Sequence, residues 1–289
     1  MDKEEAKLLR EQGYSYTEIS KKLGVSREYV GRITRNVNFS QEGNQRYFKE
    51  VKGIIKKINL QADRLTNEKT RILGHLLFDG GVYNRDYHKI AKYVNASKEL
   101  VTQFIKDIQL VYGLCPTSIE EIKGKNNLIC YNVTFKSKKM HEDLMNYFPY
   151  FSTSNSLSII PQKIMNASKE IKLEFLRSFF EDEGSISFNG RISGDLRSKR
   201  ILNQISDLLN EFNLNFKFCE YREDEGFMYK IYLPKSRENL ELFLTLGLFE
   251  KSIITHGKNF GRKKIEVLKE SIGKLKNPTN LTILDSHSS

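Results

Sequence analysis

The sequence predicts an α+β protein in which one order of elements, helix–two strands–helix–two strands–helix, occurs twice behind a small all-α segment. Three observations predict it. Two apolar stretches of helix length, residues 72–82 and 175–187, each end in an acid followed by glycine: Asp79-Gly80 and Glu183-Gly184, 104 residues apart. Each is followed by the same succession of short β-branched and aromatic stretches and amphipathic helices. Residues 2–35, in contrast, hold only short helical patterns separated by glycines.

In that first segment Ala6, Leu8 and Leu9 lie on a helix that stops at Gly13. Thr17 is placed to cap a second helix carrying Ile19 and Leu23. Gly24-Val25 turns the chain, and Ser26 caps a third helix with Val30 and Ile33 inward. A short helix, a glycine turn and a capped helix make a helix-turn-helix pattern, and it resembles the resolvase-like helix-turn-helix family over about 30 residues. Beside the Ser26 cap, the third helix leaves Arg27, Tyr29, Arg32 and Arg35 outward, a surface suited to guanine edges and phosphates in a major groove. A three-helix bundle that binds protein fits the same pattern.

Residues 36–44 are polar and read as a linker. Residues 45–58 read as a helix with Phe48, Val51, Ile54, Ile55 and Ile58 on one face. Thr66 then caps the first acid-ended helix. Strand pieces at 82–83 and 87–93 are joined by Asn84-Arg85-Asp86, and a helix at 97–112 ends at Gly113 and Pro116. Strands at 117–122 and 128–136, a helix at 138–147 and a polar connector at 152–158 complete the first copy. In the second copy, strands 185–188 and 191–196 flank Asn189-Gly190, a strong hairpin signal. Helix 198–212, strands 215–221 and 227–233, and helix 237–246 follow. The expected domains are therefore 1–36 (helix-turn-helix), 37–64 (helical linker), 65–158 and 159–275 (the two repeats) and 276–289 (flexible tail). Gly74 and Ser178 occupy equivalent positions in the two acid-ended helices. Glycine inside a helix costs about 1 kcal/mol, a cost explained if these helices pack closely about a pseudo-dyad.

Charge and cysteine usage narrow the function. The 47 Lys and Arg outnumber the 36 Asp and Glu, for a net charge of +11, which suits nucleic acid first and an acidic membrane surface second. Three cysteines, with no pair at metal-ligand spacing, read as reduced thiols of a cytoplasmic protein. No apolar run reaches membrane-spanning length, and the N-terminus is too charged for a signal peptide, so a soluble chain is expected. The acids matter most. A helix C-terminus already carries partial negative charge, yet the second copy stacks Glu181, Asp182 and Glu183 there. A divalent cation would offset them, and two such ends brought together would form a paired-carboxylate site. Either acid-glycine pair alone equally fits an ordinary glycine-capped helix end; their joint recurrence separates the two readings.

On these residues the chain resembles the LAGLIDADG homing endonucleases of the single-chain, two-motif kind, over residues 65–275. The segment IPQKIMNASKEIKLEFLRSFFEDEGS is also similar to the second-repeat entry of intein-type members. The resemblance implies two αββαββα halves, motif helices paired at the axis, and two four-stranded antiparallel sheets forming a saddle over double-stranded DNA. It implies that Asp79 and Glu183, with Gly80 and Gly184 behind them, bind Mg2+ (or Mn2+), and that both strands are cut across a narrowed minor groove. Lys251 and Lys258 stand near the family's catalytic lysines. Arg85, Lys89, Lys136, Arg191, Arg197, Lys217 and Lys230 fall on strands or strand ends expected to face DNA. A monomer is expected, because the pseudo-dyad is internal. Two features depart from the family. Ser158 stands where the first repeat should carry a basic residue, with Lys163 shifted, and both leading hairpins are short, so the helix-turn-helix is expected to supply specificity. His75 is expected to pack at the axis, and Arg262-Lys263-Lys264 to start a solvated helix. The rival readings are a DNA-binding regulator on the same scaffold and, more weakly, an RNA-splicing maturase.

Overall fold

Ala6, Ile19 and Val30, one residue from each of three short helices, are fully buried against one another, with Leu9, Tyr14, Tyr16, Leu23, Val25 and Ile33 packed around them. The computed structural model that shows this describes residues 3–40, 42–43, 64–85, 87–123, 128–154, 157–223 and 226–275. The helix expected at 45–58 and the tail at 276–289 lie outside the described residues. The chain divides into two units, Met1–Leu60 and Gln61–Ser289.

The first unit contains α1 (Lys3–Glu11), α2 (Tyr16–Leu23) and α3 (Arg27–Ile33). The cap of α2 is Ser15 rather than Thr17. Its hydroxyl accepts from the Glu18 N–H while the Glu18 carboxylate accepts from the Ser15 N–H at 2.8 Å. This reciprocal box satisfies two otherwise open donors, which a threonine inside the first turn cannot do. Gly24 ends the helix at φ 65°, and Ser26 caps α3 as expected.

The second unit holds the two copies. The first is α4 (Asn67–Phe78), β1 (Gly80–Arg85), β2 (His88–Asn95), α5 (Lys98–Tyr112), β3 (Ser118–Lys123), β4 (Ile129–Lys136) and α6 (Lys138–Met145). A short α7 (Gln162–Met165) leads into the second copy: α8 (Lys169–Asp182), β5 (Gly184–Ile186), β6 (Ile192–Leu196), α9 (Lys199–Glu211), β7 (Lys217–Glu223), β8 (Gly226–Leu233) and α10 (Arg237–Thr245). Helix α11 (Lys264–Lys274) follows. Both sheets are antiparallel with one strand order, β1-β2-β4-β3 and β5-β6-β8-β7. The α+β duplication is thus present with its expected topology.

The leading hairpins differ between the copies. Asn84 and Arg85, expected in a turn, continue β1 and pair with Lys89 and His88, and Tyr87 takes the turn at φ 66°. The β5–β6 hairpin is short as expected, with pairing confined to Gly184–Ile186 against Ile192–Gly194. Gly190 closes it at φ 81°.

Helices α4 and α8 form the axis. A Cβ at Gly74 would lie 2.5 Å from the Ser178 Cβ and 2.7 Å from its Oγ, so the backbones meet where only glycine fits. Phe78 packs on Phe175 and Phe179 at ring separations of 5.6 and 5.4 Å. Buried polar pairs fix the register. Arg71 of α4 holds Asp107 of α5 through two hydrogen bonds of 2.8 and 2.9 Å, and Glu174 of α8 through a third of 2.9 Å. Replacing Gly74 by Val should destabilise the protein by about 1–3 kcal/mol through overpacking. Gly273→Ala in α11, where a Cβ meets open space, should stabilise it by about 0.5–1 kcal/mol. Urea unfolding midpoints of both variants check the contrast.

Candidate active site

Asp79 and Glu183 are the C-cap residues of α4 and α8. Because the helices touch at Gly74 and Ser178, both ends arrive together, and both acids line one cleft of about 700 Å3. Its borders come from both sheets. In the first sheet Ala91, Tyr93, Val133 and Phe135 are fully buried, and Tyr93 and Phe135 pack against Phe104 of α5. Strand alternation therefore turns Tyr83, Arg85, Lys92 and Lys136 to the helix-free face. In the second sheet Gly194 abuts the Phe179 ring of α8, which turns Asp195, Lys217, Tyr221, Lys230 and Tyr232 to the helix-free face. Val94 and Cys130 from one face and Ser185, Asp195 and Lys230 from the other border the cleft.

The expected basic residues divide accordingly. Arg85, Lys136 and Lys217 are exposed on the helix-free faces; Arg191 and Arg197 are exposed at the two ends of β6. Lys230 is there too, 3.7 Å from Asp195 and against the rings of Tyr221 and Tyr232. Lys89 is not. It pairs with Asn84 on the helix side of the first sheet, and after burial its charge is what holds His141 of α6 below the usual imidazole range. The period of two decides this: Lys89 shares its parity along β2 with the buried Ala91 and Tyr93. Lys251 is also displaced. Its ammonium lies 3.0 Å from Glu250, in a surface hollow with Lys98 and Glu99, while its backbone N–H donates to the Glu181 carboxylate at 3.1 Å. Lys258 does line the cleft. Ser158 is buried with its hydroxyl toward the Tyr150 carbonyl, and the Lys163 ammonium sits over the Tyr147 ring. The cleft lysines are Lys230, Lys258 and Lys264, all from the second repeat.

Asp182 is held by partners from the opposite repeat, and Asp79 by one from its own. Asp182 lies 2.8 Å from His75 Nδ1 and accepts from the Tyr93 hydroxyl at 2.8 Å and Asn95 Nδ2 at 3.2 Å. Asn95 also donates to Asp79 at 2.9 Å. Lys264, expected in a solvated run, is buried at the foot of α8. Its ammonium donates to the carbonyls of Gly184 (2.6 Å), Glu181 (3.0 Å) and Phe180 (3.4 Å), satisfying helix-end acceptors and facing the acids. Only its position at the first turn of α11, packed beneath β5, separates it from Arg262 and Lys263, and the sequence carries no sign of that packing.

Desolvation dominates the electrostatics. Burial, then the charge of Asp182, pushes Asp79 up to about 7. Burial raises Glu181 to about 7 and, with the charges of Asp79 and Asp182, lifts Glu183 well above the usual carboxylate range. Burial lowers Lys264 to about 8 against the pull of the acids. For His75, burial opposes protonation, but the Asp182 carboxylate outweighs it and raises the imidazole. Among the described residues no group of three or more His, Cys, Asp or Glu side chains forms a metal cage. The residues present fit Mg2+ in another way. Two half-buried carboxylates under mutual repulsion would gain from a cation between them, and Mg2+ characteristically takes one or two carboxylates with water and phosphate oxygens completing its shell.

In the first unit Arg27, Arg32 and Arg35 are exposed along or just past α3. The Arg32 guanidinium lies 5.4 Å from the Tyr29 ring, and the Ser26 hydroxyl is engaged with the Tyr29 N–H.

No protein-family model matches the chain. The chain is 31% identical over 137 residues to the probable translation initiation factor IF-2 of Methanocaldococcus jannaschii, covering 45% of this chain and 12% of that protein. It is 25% identical over 186 residues to the uncharacterized protein MJ0398 of the same organism, covering 63% of this chain and 60% of that protein. The chain thus spans less than two thirds of either relative. Similar solved structures are the homing endonuclease I-DmoI in complex with DNA and Mn (TM-score 0.48, 18% identity, 63% of this chain and 97% of that one), the homing endonuclease I-WcaI bound to its DNA recognition sequence (0.46, 20%, 67% and 86%), and the N-terminal LAGLIDADG domain of DUF199/WhiA (0.44, 15%, 65% and 84%). The two-copy topology described above is the one that the LAGLIDADG resemblance implies.

The cluster makes a pH prediction for the metal-free protein. An aspartate in the unfolded chain titrates near 4, so between about pH 4 and pH 7 the folded state keeps a proton that the unfolded state releases, and stability falls as pH rises through that window. Asp79→Asn should therefore raise the thermal midpoint in EDTA more at about pH 8 than at about pH 5. Magnesium should raise the midpoint of the wild type and do so less for the variant. Scanning fluorimetry reads both effects.

Proposed function

We propose that the chain is a site-specific, metal-dependent DNA endonuclease of the LAGLIDADG type, hydrolysing phosphodiester bonds across the minor groove. One observation carries this: the acids of two repeated helices, 104 residues apart in sequence, line a single cleft between two sheets with basic helix-free faces. Asp79 and Glu183 would hold the divalent cation, whose bound chemistry is to polarise the scissile phosphate and stabilise the attacking and leaving oxygens. The chain's own residues do the rest. Arg85, Lys136, Lys217 and Lys230 bind the phosphate backbone and set its register. Asn95 fixes the rotamer of Asp79, Lys264 fixes the foot of α8 beneath Glu183, and Lys258 faces the phosphate from the cleft wall. The protein acts as a monomer, since both carboxylates come from one chain. Arg27, Arg32 and Arg35 of the helix-turn-helix add contacts to a major groove.

A second reading, a DNA-binding regulator that cleaves weakly or not at all, is favoured by one feature. The first repeat supplies no lysine to the cleft among the described residues, because Ser158 is buried and Lys163 lies over Tyr147. Incubation with Mg2+ and a plasmid library of random sites, followed by sequencing of ends, separates the readings. Linear product that is lost in Asp79→Asn and in Glu183→Gln supports the nuclease. Tight, salt-sensitive binding with no cut in Mg2+ or Mn2+ supports the regulator. For the helix-turn-helix, Arg32→Ala should weaken binding uniformly across sequences and reduce the slope of log K against log salt by about 1.

A further inference from the structure

We propose that Asp182 is a positioning residue: through the amide of Asn95 it aims the carboxylate of Asp79, the acid of the other repeat, at a bound cation. The inference rests on the metal reading of the cleft and gives a task to an acid which that reading leaves idle. Three acids stack at the end of α8, and Glu183 alone is assigned to the metal. The side chain of Asp182 is wholly buried. Both of its oxygens are engaged by the first repeat. Oδ2 meets His75 Nδ1 at 2.8 Å, while Oδ1 accepts from the Tyr93 hydroxyl at 2.8 Å and from Asn95 Nδ2 at 3.2 Å. A carboxylate held in this way is a fixed anchor.

Asn95 transmits the anchoring because its amide can face only one way. Its Oδ1 accepts from the Ser97 N–H at 2.8 Å, and a backbone N–H can only donate, so Nδ2 must point at the acids. That nitrogen carries two hydrogens and meets two carboxylates: Asp182 accepts one, and Asp79, at 2.9 Å, accepts the other. Only Oδ2 of Asp79 is used. Among the described residues its Oδ1 accepts no hydrogen bond, which leaves that oxygen for a cation. The far side of the amide is tied to the same helix end. Ser97 Oγ donates to the Lys251 carbonyl at 2.6 Å, and the Lys251 N–H donates to the Glu181 carboxylate at 3.1 Å. Asp182 and Glu181 thus hold Asn95 from both sides, and the stack of acids acquires a division of labour: Glu183 serves the cleft, and the two before it brace the support of Asp79. Loss of a partner that orients a metal ligand typically lowers metal affinity by about 10–100-fold.

The test uses the full chain and Mn2+ alone, with free ion counted by electron paramagnetic resonance, so it needs neither DNA nor cleavage. Asp182→Ala should weaken Mn2+ binding by about tenfold or more. Asp182→Asn removes the charge but keeps an oxygen that Asn95 can donate to, and it should recover most of the affinity. In the Asn95→Ala background, Asp182→Ala should cost little further, because no amide remains to be aimed. Equal losses in Asp182→Ala and Asp182→Asn, or losses that multiply in the double variant, would mean that Asp182 acts by charge alone and overturn the proposal. So would wild-type affinity in Asp182→Ala. Should that variant not fold, Tyr93→Phe, which keeps every charge and loosens the anchor, takes its place. A severalfold loss that disappears in the Asn95→Ala background supports the proposal, and unchanged affinity overturns it. A wild type that takes up no Mn2+, or whose uptake survives Asp79→Asn and Glu183→Gln together, overturns the metal reading and this inference with it.

Discussion

The contact between Gly74 and Ser178 is the constraint on which the rest of the second unit depends. At that point the backbones of α4 and α8 approach until a single added carbon would collide, and each helix runs from there to an acid. Asp79 and Glu183 meet because the helices cannot diverge between the contact and their ends. The sheets inherit the arrangement, since β1 and β5 each leave directly from the glycine that follows the acid. A cleft bordered by two helix-free faces is the geometric consequence of one close packing.

Bringing like charges together is unfavourable, and the surrounding residues show how the fold manages it. Asp182 is engaged across the axis by His75, Tyr93 and Asn95, all from the first repeat. The end of α8 is answered by Lys264 from the last described helix. Asp79 and Glu183 keep no such direct cationic partner among the described residues. Burial lifts both toward protonation, the condition in which a divalent ion would be most effective in restoring the charged form. The two repeats are therefore unequal chemically although equal in topology: lysines reach the cleft from the second repeat, and the first contributes the polar clamp.

Much of this was legible in the sequence because it rests on local, periodic signals. The duplicated acid-glycine ends, the Thr66 and Ser26 caps, the short Asn189-Gly190 hairpin and the matched small residues at 74 and 178 all mark features that neighbouring residues determine. What escaped depends on registration or on distant packing. Lys89 belongs to the helix side because Ala91 and Tyr93, two and four residues on, are the buried positions of β2, and which parity is buried depends on helices distant in sequence. Arg262-Lys263-Lys264 is a uniform basic run in sequence, and only the docking of α11 under β5 separates the buried Lys264 from the two residues before it. Lys251 went to the surface because its backbone, not its ammonium, is held by Glu181. Asp182 was visible as one of three stacked acids, yet its partners His75, Tyr93 and Asn95 lie 87 to 107 residues away.

The central claim is that the carboxylates of Asp79 and Glu183 act on one divalent ion site. Titration of isotope-labelled protein with Mn2+, followed by amide NMR, tests it directly, because the paramagnetic ion broadens signals near it first. The account predicts that the Gly80, Gly184 and Asn95 signals disappear before all others, and that they persist when both acids are replaced by their amides. Early broadening elsewhere with these three signals intact would contradict it.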